Sequence, residues 1–175
     1  MISPCSSQRY GDQYNRSWSI NNFAELIKYL INLENLQVIM TGGNSPPEQL
    51  YSKELDDLFG NSILNLIGKT SIREMAALIK YSDFIISPDS GPAHIATIMG
   101  KPVIGLYAMS NPKRSGPYNS DEWLINKYDQ ALKVFMDKSP TEVKFGQKIK
   151  QPEAMDLIET RDVIEKVERL IKHES

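Results

Sequence analysis

Residues 89–94 read Asp-Ser-Gly-Pro-Ala-His, placing a carboxylate, a hydroxyl, a glycine and one of the two histidines of the chain side by side. They stand between the apolar run DFIISP and the helix-like GPAHIATIMG. That arrangement suits an anion. Gly91 lets a ligand approach the backbone closely, and Pro92 is pre-set for a first helical turn. A helix N-terminus offers unpaired N–H groups and a partial positive charge, which match a diphosphate. His94, in the first turn, adds a hydrogen bond or partly neutralises the anion. A plainer reading stands beside this one: Asp89 or Ser90 caps the helix and His94 is a satisfied polar core residue.

Three other polar segments invite the same question. TGGNSPPE is a glycine turn before a helix; its spacing is neither a GxGxxG fingerprint nor a P-loop. Glu48 in that turn could accept hydrogen bonds from a ribose, or simply favour the helix dipole. CSSQR and NRSW supply the hydroxyls of Ser6 and Ser7 and the cations Arg9 and Arg16, which fit phosphate oxygens but equally a solvated loop. GKTS carries Thr70. Cys5 has no evident nucleophilic partner, and no Cys/His spacing suggests a metal site. The loop SNPKRSGPYN is either a clamp over a ligand or a surface turn.

The elements needed to position these segments are legible from periodicity. Phe23, Leu26, Ile27, Leu30 and Ile31 recur at helical spacing, predicting an amphipathic helix near residues 20–33. MISP, LQVIMTGG, ILNLIG, DFIISP and PVIGLYA read as strands. Pro46 and Pro47 open a helix running to about Leu58. Ser71 with Glu74 gives TSIREMAALIKY a capping box. Strands alternating with helices predict an α/β fold: a Rossmann-like parallel sheet with helices on both faces. The nearly all-apolar strands agree with that. In such sheets ligands bind beyond the carboxyl ends of the strands, so all four polar segments are expected at one rim. Residues 109–121 read as a loop. Residues 122–150 are less regular, with ALKVFMD a strand candidate and KSPTEVKFGQKIKQ an exposed excursion. TRDVIEKVERLIKHES is an amphipathic helix over about residues 160–172.

The chain has 175 residues and a net charge of −2, enough for one domain with a core and no global field for nucleic acid. A single cysteine, no bilayer-spanning apolar run and no basic-then-apolar leader point to a cytoplasmic protein.

Taken together, these residues resemble the C-terminal half of glycosyltransferase family 9, the lipopolysaccharide heptosyltransferases. Such proteins show a D-[ST]-G-x-x-H signature, a Gly-x-Pro turn, a strand and a Pro-Arg-containing loop ending in Gly-Pro-Tyr. All stand in order in DSGPAHIATIMGKPVIGLYAMSNPKRSGPY. Met109 and Ser110 replace the more usual pair after the strand.

The resemblance implies the donor half of a glycosyltransferase B fold, with residues 1–175 as a single nucleotide-sugar-binding domain and the N-terminal acceptor domain absent. It implies ADP-heptose as donor and an inverting transfer in lipopolysaccharide core or related surface glycan synthesis; because the sequence offers no clear acidic cluster near the motif, no metal is expected. By resemblance, Ser6 and Ser7 contact donor phosphate and Arg16 is the nearby cation. Asp89, Ser90, Gly91 and His94 surround the diphosphate and sugar; Glu48 and Thr70 fall near the adenosine. The general base is expected in the missing domain, so no catalytic residue is expected here. Implied partners are a glycolipid acceptor at the inner membrane face and a separate chain carrying the acceptor domain, with no nucleic acid. The exposed cleft-facing rim predicts self-association. A non-catalytic nucleotide-binding module, or a truncated remnant needing a partner chain, is the alternative.

Overall fold

The structure, a computed structural model, describes residues 1–6 and 16–174. The apolar runs become short parallel strands: β1 (Ile39–Gly42), β2 (Leu64–Ile67), β3 (Ile85–Pro88), β4 (Val103–Tyr107) and β5 (Ile125–Asn126). β1 pairs with β2, and β4 lies between β3 and β5. The N-terminal segment joins the two groups. Ile2 bridges Met40 on one side and Ile86 on the other, both in parallel. Its N–H donates to Ile39 O at 2.8 Å, its C=O accepts from Thr41 N–H at 2.9 Å, and Ser3 N–H donates to Ile86 O at 3.0 Å. The result is one sheet ordered β2, β1, N-terminal segment, β3, β4, β5. With the N-terminal segment counted as the first strand, this is the 3-2-1-4-5-6 order of dinucleotide-binding sheets. The order reverses between the N-terminal segment and β3, so the crevice expected of such a sheet opens between residues 3–6 and residues 88–91.

Alternation along the strands sends side chains to two faces. Met40, Ile86, Ile104 and Leu106 join the larger core with α1 (Ile20–Leu30), α2 (Pro46–Phe59), α6 (Tyr128–Met136) and α7 (Thr160–Glu174). Ile85 and Val103 face a smaller core with α3 (Ile72–Tyr81) and α4 (Gly91–Ile98). The stripe Phe23, Leu26, Ile27 and Leu30 of α1 is buried, as its spacing predicts. Each such side chain contributes roughly 1.5–3 kcal/mol by leaving water.

Four local expectations change. ALKVFMD is not a strand; it belongs to α6, where Tyr128, Ala131 and Leu132 are buried at helical spacing. A short apolar run does not separate helix from strand by itself. The polar N-terminal loop ends in Trp18, which is fully buried. Its Nε1–H donates to Ile158 O at 2.9 Å, its carbonyl accepts from the Tyr51 hydroxyl, and its ring meets Phe23 edge-on at 5.1 Å. The loop after β4 contains a one-turn helix, α5 (Pro112–Ser115). The exposed excursion is anchored at its end, where buried Ile149 donates its N–H to Met109 O at 2.9 Å.

Candidate functional site

The turn after β1 is organised by Glu48. Its carboxylate accepts from the Gly43 N–H at 2.5 Å and the Ser45 N–H at 3.0 Å, so it folds back over its own turn. A Cβ at Gly43 would lie 2.9 Å from Glu48 Oε2, so a side chain there would have to displace the carboxylate from its turn. Thr70 precedes α3, whose capping box is formed as predicted: Ser71 Oγ accepts from Glu74 N–H at 3.3 Å, and the Glu74 carboxylate accepts from Ser71 N–H at 2.7 Å. The Ser71 N–H, and then the Ser71 hydroxyl, hold the Glu74 carboxyl below its ordinary pKa.

α4 behaves differently. Ser90 occupies its N-cap with extended backbone but makes no capping bond. Its hydroxyl pairs instead with Ser87 Oγ at 2.7 Å. Asp89 is also turned away: Oδ2 accepts from Ser110 Oγ at 2.8 Å and Ser115 Oγ at 3.1 Å, and lies 3.9 Å from Arg16 Nε. The capping alternative is therefore overturned, because neighbouring hydroxyls engage both candidate caps. The first-turn amides of α4 keep their N–H groups free of side-chain caps, and open space surrounds Gly91. His94 is exposed and hydrogen-bonds to no described residue, so it is not a core histidine.

The four polar segments meet as expected. Ser3 and Cys5, Gly43 and Glu48, Thr70 and Ser71, and Gly91 and Pro92 line one cleft of about 250 Å³, with Ile72 and Met75 as an apolar wall. Glu48, Thr70 and Gly91 are thus brought together. Ser6, Arg16, Asp89 and Ser90 form a second cluster beside Gly91 at the switch point. Here Ser6 Oγ accepts from Arg16 N–H at 3.0 Å while Ser6 N–H donates to Ser17 Oγ at 3.0 Å. Ser7 and Arg9 lie outside the described residues. Burial pushes the Cys5 thiol up to about 12, so it is protonated and unreactive at neutral pH. Among the described residues no group of three or more His, Cys, Asp or Glu could hold a metal ion.

Ser110 and Ser115 escape a motif reading, because both reach Asp89 from the loop after β4, 21 and 26 residues away in sequence. Tyr107 sits beside them, its hydroxyl donating to Ser115 O at 3.3 Å. Burial, then the Asp89 charge, pushes its phenol well up. An open helix N-terminus, an unobstructed glycine and a nearby guanidinium form a ledge for an anion, and the apolar-walled cleft beside it suits a planar ring.

Comparison with known proteins gives the family and the fold. The sequence model of glycosyltransferase family 9 (heptosyltransferase) matches residues 1–143. The chain is 35% identical over 170 residues to the lipopolysaccharide core heptosyltransferase OpsX of Haemophilus influenzae, covering 97% of this chain and 47% of that protein. It is 30% identical over 129 residues to lipopolysaccharide heptosyltransferase 2 of Salmonella typhimurium, covering 67% of this chain and 33% of that protein. Among solved structures, E. coli ADP-heptose lps heptosyltransferase II superposes with a TM-score of 0.69 at 21% identity, covering 99% of this chain and 46% of that one. E. coli heptosyltransferase WaaC with ADP gives 0.66 at 16% identity, covering 97% and 43%. At these identities the structures establish the fold. The chain spans about half the length, or less, of the relatives it matches. By the family match and the relatives' coverage of this sequence, the chain belongs to glycosyltransferase family 9, the heptosyltransferase family.

Proposed function

We propose that this chain is the nucleotide-sugar donor-binding half of an inverting heptosyltransferase acting in lipopolysaccharide core or related surface glycan synthesis. The donor is ADP-heptose or a close analogue. The observation that carries the reading is the uncapped N-terminus of α4 at the switch point, with Gly91 open and Arg16 and Asp89 alongside.

In this reading the diphosphate lies on the α4 amides, with the Ser6 hydroxyl, Arg16 and exposed His94 around it. The adenosine enters the cleft beside Thr70 and Glu48. An acceptor hydroxyl forms a bond to the anomeric carbon as the bond from that carbon to the diphosphate oxygen breaks, with inversion. The negative charge that develops on the departing ADP meets the helix N-terminus and the guanidinium, the stabilisation the reaction needs. The general base that takes the hydroxyl proton comes from a second, acceptor-binding domain. The acceptor is a glycolipid at the inner face of the inner membrane, and the protein works from the cytoplasm. No helix among the described residues is long and apolar enough to cross a membrane.

Calorimetric titration with ADP and ADP-heptose tests the reading, with His94→Ala alongside. Saturable binding that weakens in the variant is expected, about tenfold for one hydrogen bond to a charged group. A folded wild-type chain that binds neither ligand would overturn it.

A further inference from the structure

Serine caps α1 and α3 in the same way. Ser19 Oγ accepts from Asn22 N–H at 3.2 Å and Ser71 Oγ from Glu74 N–H at 3.3 Å, in each case the N–H three residues on. Ser90 precedes α4 at the equivalent position, and the N–H its hydroxyl would reach is that of Ala93, since Pro92 has none. The backbone is turned differently, however. Ser19 and Ser71 sit at φ −63° and −71°, Ser90 at φ −151°. Its hydroxyl lies 2.7 Å from Ser87 Oγ, and the Ser87 hydroxyl donates to Pro88 O at 3.1 Å. With the Ser87 proton on Pro88 O, the Ser90 proton goes to Ser87 Oγ.

Ser87 is fully buried in β3. Ile86 belongs to the larger core and Ile85 to the smaller, so Ser87 shares the α3 and α4 face with Ile85. The pairing of Ile2 with Met40 and Ile86 sets Thr41, Ser3 and Ser87 level on three neighbouring strands of that face. Ser3 lines the cleft, and Thr41 Oγ1 is buried with no hydrogen-bond partner among the described residues. An apolar residue in place of Ser87 would leave Ser90 free to cap α4 as Ser71 caps α3. A buried hydroxyl that works against a local helix signal marks a functional site rather than a stabilised core.

We infer that Ser87 is a positioning residue of the candidate site: it holds the Ser90 hydroxyl off the Ala93 N–H, so that the Gly91 and Ala93 amides both face an anionic diphosphate. The inference deepens the donor reading and rests on it. Ser87 acts through Ser90 and touches no ligand itself. Without its hydroxyl, Ser90 relaxes toward the φ of Ser19 and Ser71, a change within the extended region, and accepts from Ala93 N–H. The helix gains a cap and the anion loses a donor.

Amide hydrogen exchange by NMR and calorimetric titration with ADP test this on the full chain and its Ser87→Ala variant. Exchange needs no ligand. In Ser87→Ala the Ala93 amide is expected to exchange about fivefold more slowly, the worth of one N-cap. ADP is expected to bind about tenfold more weakly, for one lost hydrogen bond to a charged group. Adding Ser90→Ala removes the new cap and returns both readings toward wild type, which a loss of packing at β3 would not do. Thr41→Val, which deletes another hydroxyl of the same row, is expected to shift neither. Ser87→Cys, of similar volume and a weak hydrogen-bond partner, gives the same readings should Ser87→Ala fail to fold. Unslowed Ala93 exchange, undiminished ADP binding or no recovery in the double variant overturns the inference and leaves the donor reading in place. A folded wild-type chain that binds no ADP overturns the donor reading, and the ligand role of Ser87 with it.

Discussion

Asp89 shows how one side chain serves both a motif and a fold. Its Oδ2 gathers Ser110, Ser115 and Arg16, so the residue expected beside a ligand also ties the α5 loop to the end of β3. Asp89→Ala leaves the Ser110 hydroxyl without its acceptor and the Ser115 hydroxyl with Asn111 O only, and is expected to lower stability by about 1–3 kcal/mol. Urea unfolding measures this, and an unchanged midpoint would show that the three contacts carry no load. Asp89→Asn, which keeps an acceptor oxygen, should recover part of the loss. At this scale the DSGPAH motif was legible because its residues are adjacent. Ser110 and Ser115 were not, because they stand 21 and 26 residues away and approach only when β3 and β4 pair.

At the scale of elements, α3 and α4 form an instructive pair. Both have serine at the N-cap, Ser71 and Ser90, both with extended backbone. Ser71 finds Glu74 three residues on and closes a capping box, whereas Ser90 finds Ser87 and leaves α4 open. Ser71→Ala is accordingly expected to cost about 1 kcal/mol. It should also loosen the cleft wall at Thr70 and Ile72. Hydrogen exchange of the α3 first-turn amides would register this, and unaltered protection would count against it. The box was readable in sequence because both partners sit within one turn. For α4 the sequence left an open N-terminus and a serine or aspartate cap both standing, since a serine before a helix commonly caps it. α6 makes the complementary point: an apolar run of helical length needed its packing partners to declare itself.

For the whole molecule, burial of ionisable groups in the larger core sets an alkaline limit. Burial raises the Cys5 thiol from 9.0 to about 12, with the Ser17 hydrogen bond opposing and Glu48 adding. Burial also raises the Tyr51 and Tyr107 phenols. A raised acid holds its proton longer folded than unfolded, so its contribution is complete below the unfolded pKa. The contribution of these three groups should thus be level up to about pH 9 and decline as pH climbs from there through about 12, with the tyrosines acting in the same direction. Urea midpoints across that window check the sign, and a rise would contradict it. Cys5→Ser should soften the lower part of the decline.

The sequence by itself determined what short-range physics can express: the α/β alternation, most element boundaries, the α3 capping box and the polar segments that end the strands. It also carried the family, because its motifs are contiguous. The tertiary structure alone decided which strands are neighbours. Ile2 is a single bridging position, yet it joins β1 to β3 and thereby creates the switch point at which residues 3–6 and 88–91 face each other. It alone decided that Asp89 and Ser90 turn to other hydroxyls, leaving the α4 first-turn amides without a side-chain cap. And it alone laid residues 144–149 against the loop carrying α5. In each case the deciding partners lie far apart along the chain, and no local propensity encodes their meeting.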